Sequence, residues 1–267
     1  MLYKQDFRNL NNSDQKKSDL ADKNLEKDKA TNDGALSVNG LYSYWDVPTS
    51  VIHNRQLFPN NYLNTDDLKN PENIYKIESF SKLIEENKSE REILNHISHT
   101  ESYFIIGSIL QNFQFGHHNT FLFKEFPLFP NYVTDYLLIG KNSHGYHFVF
   151  IELENVFGNI TINSGDFGTT IRNGLKQIQD WDFWLESNFN TLKVYFEKHL
   201  GKKTLPKEFI NFDKTRINYV IVAGKRIDFN EKTYRLKRKL HQSENILLLH
   251  YDNLIEDSFS LLKYGNY

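Results

Sequence analysis

The stretch Tyr146 to Glu154, reading YHFVFIELE, constrains the fold of this chain more than any other. Its aromatic and β-branched residues alternate with a period of two, the pattern of a β-strand. His147, Val149, Ile151 and Leu153 fall on one face, and Tyr146, Phe148, Phe150, Glu152 and Glu154 on the other. A strand this apolar is expected to be buried, yet it ends with two carboxylates side by side on one face. A buried charge is costly unless it is paired or holds a metal. Such a conflict between local pattern and local chemistry marks a candidate functional site.

The neighbouring segments supply a sheet for this strand. Thr120–Lys124 and Tyr132–Ile139 read as strands of an antiparallel run, with Pro127 and Pro130 breaking the first pair and Gly140 to Gly145 giving a hairpin-like turn. Val133, Asp135, Leu137 and Ile139 share a face, so Asp135 is a charge within an apolar strand. After a loop over residues 155–168, a helix is expected over roughly Thr169 to Asn188, with Ile171, Leu175, Ile178 and Leu185 as its apolar stripe. A further helix around Leu192 to His199 ends at Gly201. Then come a β-branched strand (Ile217 to Ala223), a basic helix (Lys232 to Leu240), an apolar strand (Asn245 to His250) and a short helix (Leu254 to Leu262). Strands alternating with helices predict an α/β sheet with partly parallel pairing.

The first part of the chain is less regular. Residues 1 to about 34 are polar; Leu10, Leu20 and Leu25 mark a weak helix at most, and a mobile tail is the expectation there. Residues 35–78 carry Tyr42, Tyr44, Trp45, Phe58, Tyr62 and Tyr75 among turn residues, an irregular extension that packs on something else. A helix pattern opens near Glu78. Its continuation places Glu90 with Ile93, Leu94 and Ile97 on the apolar side and Glu92 on the polar side. The division drawn from sequence is therefore an N-terminal extension, 1–78, open to a regulatory or assembly role, and a domain over 79–267.

Composition narrows the classes. At 267 residues the chain can bury a core without staples, and with no cysteine it has neither disulfides nor thiolate metal ligands. No apolar run approaches the roughly 20 residues of a membrane helix, and the first residues hold no apolar signal core, so a cytoplasmic protein without a membrane partner is expected. The formal net charge of −2 means that any nucleic-acid role needs a local basic face.

Taken together, Asp135, Glu152, Glu154, Gln177 on the following helix and Glu90 on the preceding one form an oxygen-rich set at adjacent strand ends. Hard oxygen ligands suit Mg²⁺ or Mn²⁺, which pair with phosphate oxygens, acidify a bound water and stabilise charge during in-line attack.

Asp135 followed by Glu152-Leu153-Glu154 resembles the PD-(D/E)xK nuclease motif, with Glu154 where the lysine would stand and Thr134 in place of the proline. More narrowly, Ser89-Glu90-Arg91-Glu92-Ile93-Leu94, the TDYLLI and FIELE strands, Lys176-Gln177-Ile178-Gln179-Asp180-Trp181, YVIVAGKR and LLLHYDNLI together resemble the Shedu family of antiphage nucleases, over about residues 88–260. The resemblance implies a restriction-endonuclease-like mixed β-sheet core flanked by helices. It implies metal-dependent cleavage or nicking of DNA, with Mg²⁺ or Mn²⁺ as cofactor, and a homo-oligomer. Carried over, Asp135 and Glu152 would be metal ligands, with the Leu153 carbonyl a third. Glu90 would complete the site and Gln177 would orient it or the scissile phosphate. Glu154 would act as general base or second-metal ligand, as in E-x-E variants of the superfamily. The missing lysine also fits weakened cleavage, in which the fold serves as a nucleic-acid or partner binding module.

Other residues admit plainer readings. Asp135 alone would be a solvent-facing edge charge, Glu152 with Glu154 alone a solvated strand end, and Glu90 a residue at the edge of its apolar stripe that reaches solvent. Trp181 and Trp184 read as core. Lys232, Arg235, Arg238 and Lys239 form either a solvated helix face or phosphate contacts, and Lys225 and Arg226 after a buried strand carry the same two readings. His96/His99 and His144/His147 lack a third ligand and read as structural. Gly165-Asp166-Phe167-Gly168 spells part of a kinase motif without a glycine-rich loop, catalytic loop or strand lysine before it, which rejects that class.

Overall fold

The structure is a computed structural model that describes residues 2–86, 88–116 and 118–267. Its helices, in chain order, are α1 Asn12–Thr31, α2 Val38–Trp45, α3 Thr49–Asn54, α4 Glu72–Glu85, α5 Glu90–Thr100, α6 Tyr103–Gly107, α7 Thr169–Asn188, α8 Leu192–His199, α9 Glu231–Glu244 and α10 Tyr251–Tyr264. The strands are β1 Thr120–Leu128, β2 Tyr132–Asn142, β3 Gly145–Leu153, β4 Ile217–Val222 and β5 Ile246–Leu249. Residues 3–62 with 195–205 make one compact unit, and residues 63–194 with 206–267 make another.

The sheet belongs to the second unit, in the order β1-β2-β3-β4-β5. The hairpins run antiparallel from β1 through β3. The chain then crosses back through α7 to lay β4 parallel to β3, and through α9 to lay β5 parallel to β4. The mixed α/β sheet flanked by helices, expected from alternation of the two periodicities, is what forms. Both faces of β3 are buried from Phe148 onward, so its near-continuous apolar run belongs to a strand covered on both sides. Phe148 meets Phe189 and Phe209 edge-on, with centroids 5.5 and 5.1 Å apart. Trp181 and Trp184 on α7 are buried, as their core reading requires. Asn245 closes α9 in a left-handed conformation, and its side-chain amide donates to the Ile217 carbonyl at 2.8 Å, tying the end of that helix to the start of β4.

The polar stretch expected to be a mobile tail is instead helical over Asn12–Thr31. Asn11 caps it by accepting the Asp14 N–H. The helix buries only Ser18 and Ala21, so apolar periodicity could not announce it. Polar contacts hold it: Asp28 accepts both the N–H and the hydroxyl of Ser37, at 2.8 and 2.6 Å, and Ser50 donates to Asp14. The helix expected to open near Glu78 begins at Glu72, directly after Pro71. In the first unit Phe7 stacks on His53 at 4.1 Å, and Phe58 lies 5.7 Å from Phe196. No helix among the described residues is long and apolar enough to cross a membrane.

Phe150, at the centre of β3, is fully buried, whereas Phe183 on α7 is 76% exposed. Phe150→Ala is expected to cost about 3–5 kcal/mol in chemical denaturation, from lost transfer energy plus the cavity left behind. Phe183→Ala is expected to stay within about 0.5 kcal/mol of the parent.

Candidate active site

The ladder between β2 and β3 ends at Tyr136 opposite Ile151. Beyond that pair a side chain takes over: the Leu153 N–H donates to Asp135 Oδ2 at 2.7 Å. On the other side β3 stays bonded to β4, with Glu152 opposite Ile221 and Leu153 opposite Val222. The Glu154 N–H then donates to the Val222 carbonyl at 2.8 Å, and the Tyr251 hydroxyl donates to the Glu154 carbonyl at 2.7 Å. Both backbone groups of Glu154 are thus fixed. Its side chain lies against α7 at Gly174, where a Cβ would stand 3.3 Å from Glu154 Cγ and Oε1. Period-two alternation places Glu152 and Glu154 on the face of Phe150.

Glu90 arrives from α5. Ser89 and Glu92 form the capping box of that helix, so Glu92 stays exposed while Glu90, the first helical residue, is half-buried. A cleft of about 120 Å³ opens beside Asp135, lined also by Arg91, Asn95, Ser98, Lys124 and Glu125.

Glu152 is 6% exposed and Glu154 9%. Burial, then the charges of Asp135, Glu90 and Glu154, pushes the Glu152 carboxyl far above the usual carboxylate range. Burial likewise raises Asp135; the Leu153 N–H opposes it, and Glu90 and Glu125 add to it. Glu154 is pushed up to about 7 by burial and by Glu90 and Asp135. Burial also raises Glu90, against the pull of Arg91. The charges of Asp135 and Glu90 thus act on both Glu152 and Glu154. The fold therefore retains protons there at neutral pH unless another cation replaces them.

Among the described residues, no three His, Asp or Glu side chains are grouped so that they could hold a metal ion. The donor chemistry nonetheless fits a hard divalent cation: carboxylate oxygens, largely dehydrated, whose repulsion such an ion relieves.

Gln177 is exposed, three residues along α7 from Gly174, and so on the flank of the helix that meets Glu154. The basic candidates divide. Lys225 pairs with Glu85, and Arg226 pairs with Glu256 while its N–H donates to Asp252. Lys232 pairs with Asp166 at 2.7 Å. Arg235 and Arg238 are exposed on α9. Sequence reasoning overlooked four residues of this site. Gly174 makes room for Glu154, and Tyr251 binds its carbonyl. Arg91 pairs with Glu125 at 3.1 Å, and Glu125 has a left-handed backbone (φ 46°) inside a strand. A glycine within a helical stripe was the one signal available for Gly174.

The raised carboxyls carry a pH signature. Their unfolded-state pKa values lie near 4, below their values in the fold, so between about pH 4 and 7 the native state binds more protons than the unfolded chain. Their contribution to stability is therefore full at low pH and is lost as pH rises through the folded values. Glu152→Gln removes one such group. In EDTA its melting temperature is expected to exceed the parent's by roughly 2–8 °C at pH 8, with the gap closing toward pH 4.5. Parallel melting curves at every pH would show that Glu152 holds no extra proton.

The model of the family described as Shedu protein SduA, C-terminal, matches residues 87–255. No curated protein matches the chain. The matched segment runs from just before α5 into α10 and takes in the five strands of the described residues, and over this stretch, more than half of its length, the chain belongs to the Shedu family.

Proposed function

We propose that this protein is a metal-dependent endonuclease or nickase that hydrolyses DNA phosphodiester bonds. Its Shedu membership suggests antiphage defence as the setting. The observation that carries the reading is that Asp135 binds the amide between Glu152 and Glu154 at the end of β3, where burial and the charges of Asp135 and Glu90 raise both glutamates. Asp135, Glu152 and Glu90 would hold Mg²⁺ or Mn²⁺. When bound, the ion supplies an acidified water and neutralises charge developing on the phosphate.

The remaining work falls to the chain. Glu154, at about 7, is matched to accept a proton from the attacking water near neutral pH. The water oxygen forms the new bond to phosphorus as the bond to the leaving sugar oxygen breaks, and the leaving oxygen takes up a proton. Gln177, a neutral donor on the exposed flank of α7, would orient the phosphate. Arg235 and Arg238 would contact the nucleic-acid backbone. Lys225, Arg226 and Lys232 would do so only after leaving their carboxylate partners.

One observation favours a second reading. Glu154 occupies the place of the motif's lysine, which fits a nuclease fold retained for binding nucleic acid or a partner without cleavage.

The test uses supercoiled and linear DNA with Mg²⁺, Mn²⁺ or EDTA. Cleavage or nicking is expected only with metal. Loss of mere outer partners of a metal costs about ten- to hundredfold, so Glu152→Ala is expected to lower the rate by more than about a hundredfold. Mn²⁺ binding by calorimetry should fail in the same variant, and cleavage retained by it would remove Glu152 from the mechanism. Glu154→Gln should abolish the rise in rate with pH near 7. Glu154→Lys separates the readings: lost activity supports a general base, and gained activity supports the binding module.

A further inference from the structure

A DNA phosphate that approaches the end of β3 meets the carboxyls of Asp135, Glu152 and Glu154, and like charges repel. Three of the cations read from the sequence do little to offset them: Lys225, Arg226 and Lys232 are each held by a carboxylate of their own. A different cation stands beside Asp135. Arg91 lines the cleft of about 120 Å³ that opens next to that residue. Its charge favours the ionised forms of both Asp135 and Glu90.

Two features place Arg91 there. The first is its helix. Ser89 and Glu92 close the capping box of α5, which fixes the backbone on either side of Arg91. The second is Glu125. Lys124 pairs with Tyr136 and Phe126 with Thr134 across the β1–β2 ladder, so Glu125 stands level with Asp135. Its backbone is left-handed (φ 46°), a conformation that few residues other than glycine adopt. Such an outlier persists only where its surroundings hold it, and the contact its side chain makes is with Arg91, whose Nη1 donates to Glu125 Oε1 at 3.1 Å. With 70% of the Arg91 side chain and 56% of the Glu125 side chain open to solvent, the ion pair contributes little stability. Strain kept for a pair worth so little has its use outside packing. Nor does the pair consume the guanidinium. Arginine carries five N–H donors in a planar fork, and Nε and Nη2 of Arg91 donate to no other group among the described residues.

We propose that Arg91 is a DNA-contact residue of this site: Glu125 holds one side of its guanidinium, and the open Nε–Nη2 edge takes a backbone phosphate at the mouth of the cleft beside Asp135. A planar fork fits two oxygens of one phosphate, and the bond to Glu125, which is kept, limits the ways the fork can turn. The inference rests on DNA reaching the end of β3, as the nuclease reading requires.

Two measurements test it on the full chain. The first is binding of a short labelled duplex in EDTA, read by fluorescence anisotropy across a range of KCl. One lost phosphate contact lowers the slope of log affinity against log salt by about 0.9, so Arg91→Ala is expected to show that drop. It should also bind at least about fivefold more weakly at low salt, alike for duplexes of different sequence. Arg91→Lys should keep part of the affinity. Glu125→Gln should bind at least as tightly as the parent, because it keeps the guanidinium; if the pair were only structural, Glu125→Gln and Arg91→Ala would weaken binding together. Lys69→Ala removes a cation from a similarly exposed pair, with Asp66, and should leave the slope unchanged. The second measurement is cleavage kinetics with Mg²⁺. Uniform loss of phosphate binding in Arg91→Ala should raise KM at least about fivefold and change kcat by less than about twofold. A parent that cleaves, with Arg91→Ala matching it in slope and KM, would overturn the inference and leave the nuclease reading standing. A parent that binds without cleaving would end the nuclease reading, and the slope would then decide Arg91 by itself. A parent that neither binds nor cleaves DNA would overturn both.

Discussion

Everything at the candidate site depends on the way β3 loses one neighbour and keeps the other. On the β2 side, the Asp135 carboxylate substitutes for a ladder carbonyl by accepting the Leu153 N–H. On the β4 side, pairing continues through Leu153 and on to the Glu154 amide. Pairing thus stops on one side of β3 and continues on the other, which anchors Glu152 and Glu154 to β4. The hydrogen bond also stabilises the charged form of Asp135, the one favourable backbone contribution in a set where burial dominates. Without that bond, Leu153 would leave a buried donor unsatisfied, at about 1–3 kcal/mol. Structure and chemistry therefore share one carboxylate.

The surrounding elements press this edge from several directions. The parallel strands end on the same side, where α/β sheets commonly gather ligands. Glu90 is delivered by a helix whose capping box uses Glu92, two residues on, so neighbouring acidic residues serve different ends. Gly174 costs α7 about 1 kcal/mol of helix propensity relative to alanine. What that cost permits is contact: Glu154 and Ile221 come within 3.3 Å of where a methyl group would sit. Tyr251, buried at the start of α10, fixes the Glu154 carbonyl from the far side.

How much of this was legible follows from the range of each interaction. Period-two alternation located β3, and the two glutamates at its end flagged the site before any contact was known. Helical periodicity placed Glu90 on the apolar side of its helix and Glu92 on the polar side. Helix α7 and the strand–helix alternation after it were equally local signals. What escaped depended on distant partners. Nothing near Lys225 announces Glu85, and nothing near Lys232 announces Asp166. The basic face thus read as freer than it is. Helix α1 escaped for the opposite reason: hydrogen bonds to Ser37 and Ser50 fix it, and hydrophobic periodicity does not register them. The left-handed Glu125 has no sequence mark at all.

The remaining tension is Glu154 itself. A lysine in that place would lie among carboxylates that already repel one another, and simple Coulomb attraction would favour it. Glutamate does the reverse, adding a negative charge to a cluster whose members hold protons well above their normal range. Relative to lysine, the substitution shifts the formal charge of the site by two negative units, the charge one divalent cation offsets. The fold does not treat Glu154 as a tolerated accident: a helix glycine clears its side chain, and both its backbone groups are bonded. A residue held so firmly in an unfavourable field leaves the site with repulsion that protons on the neighbouring carboxyls relieve. Where a lysine would balance the charge within the chain, glutamate leaves that balance to whatever binds the end of β3, and the divalent cation of the proposed function is one such species.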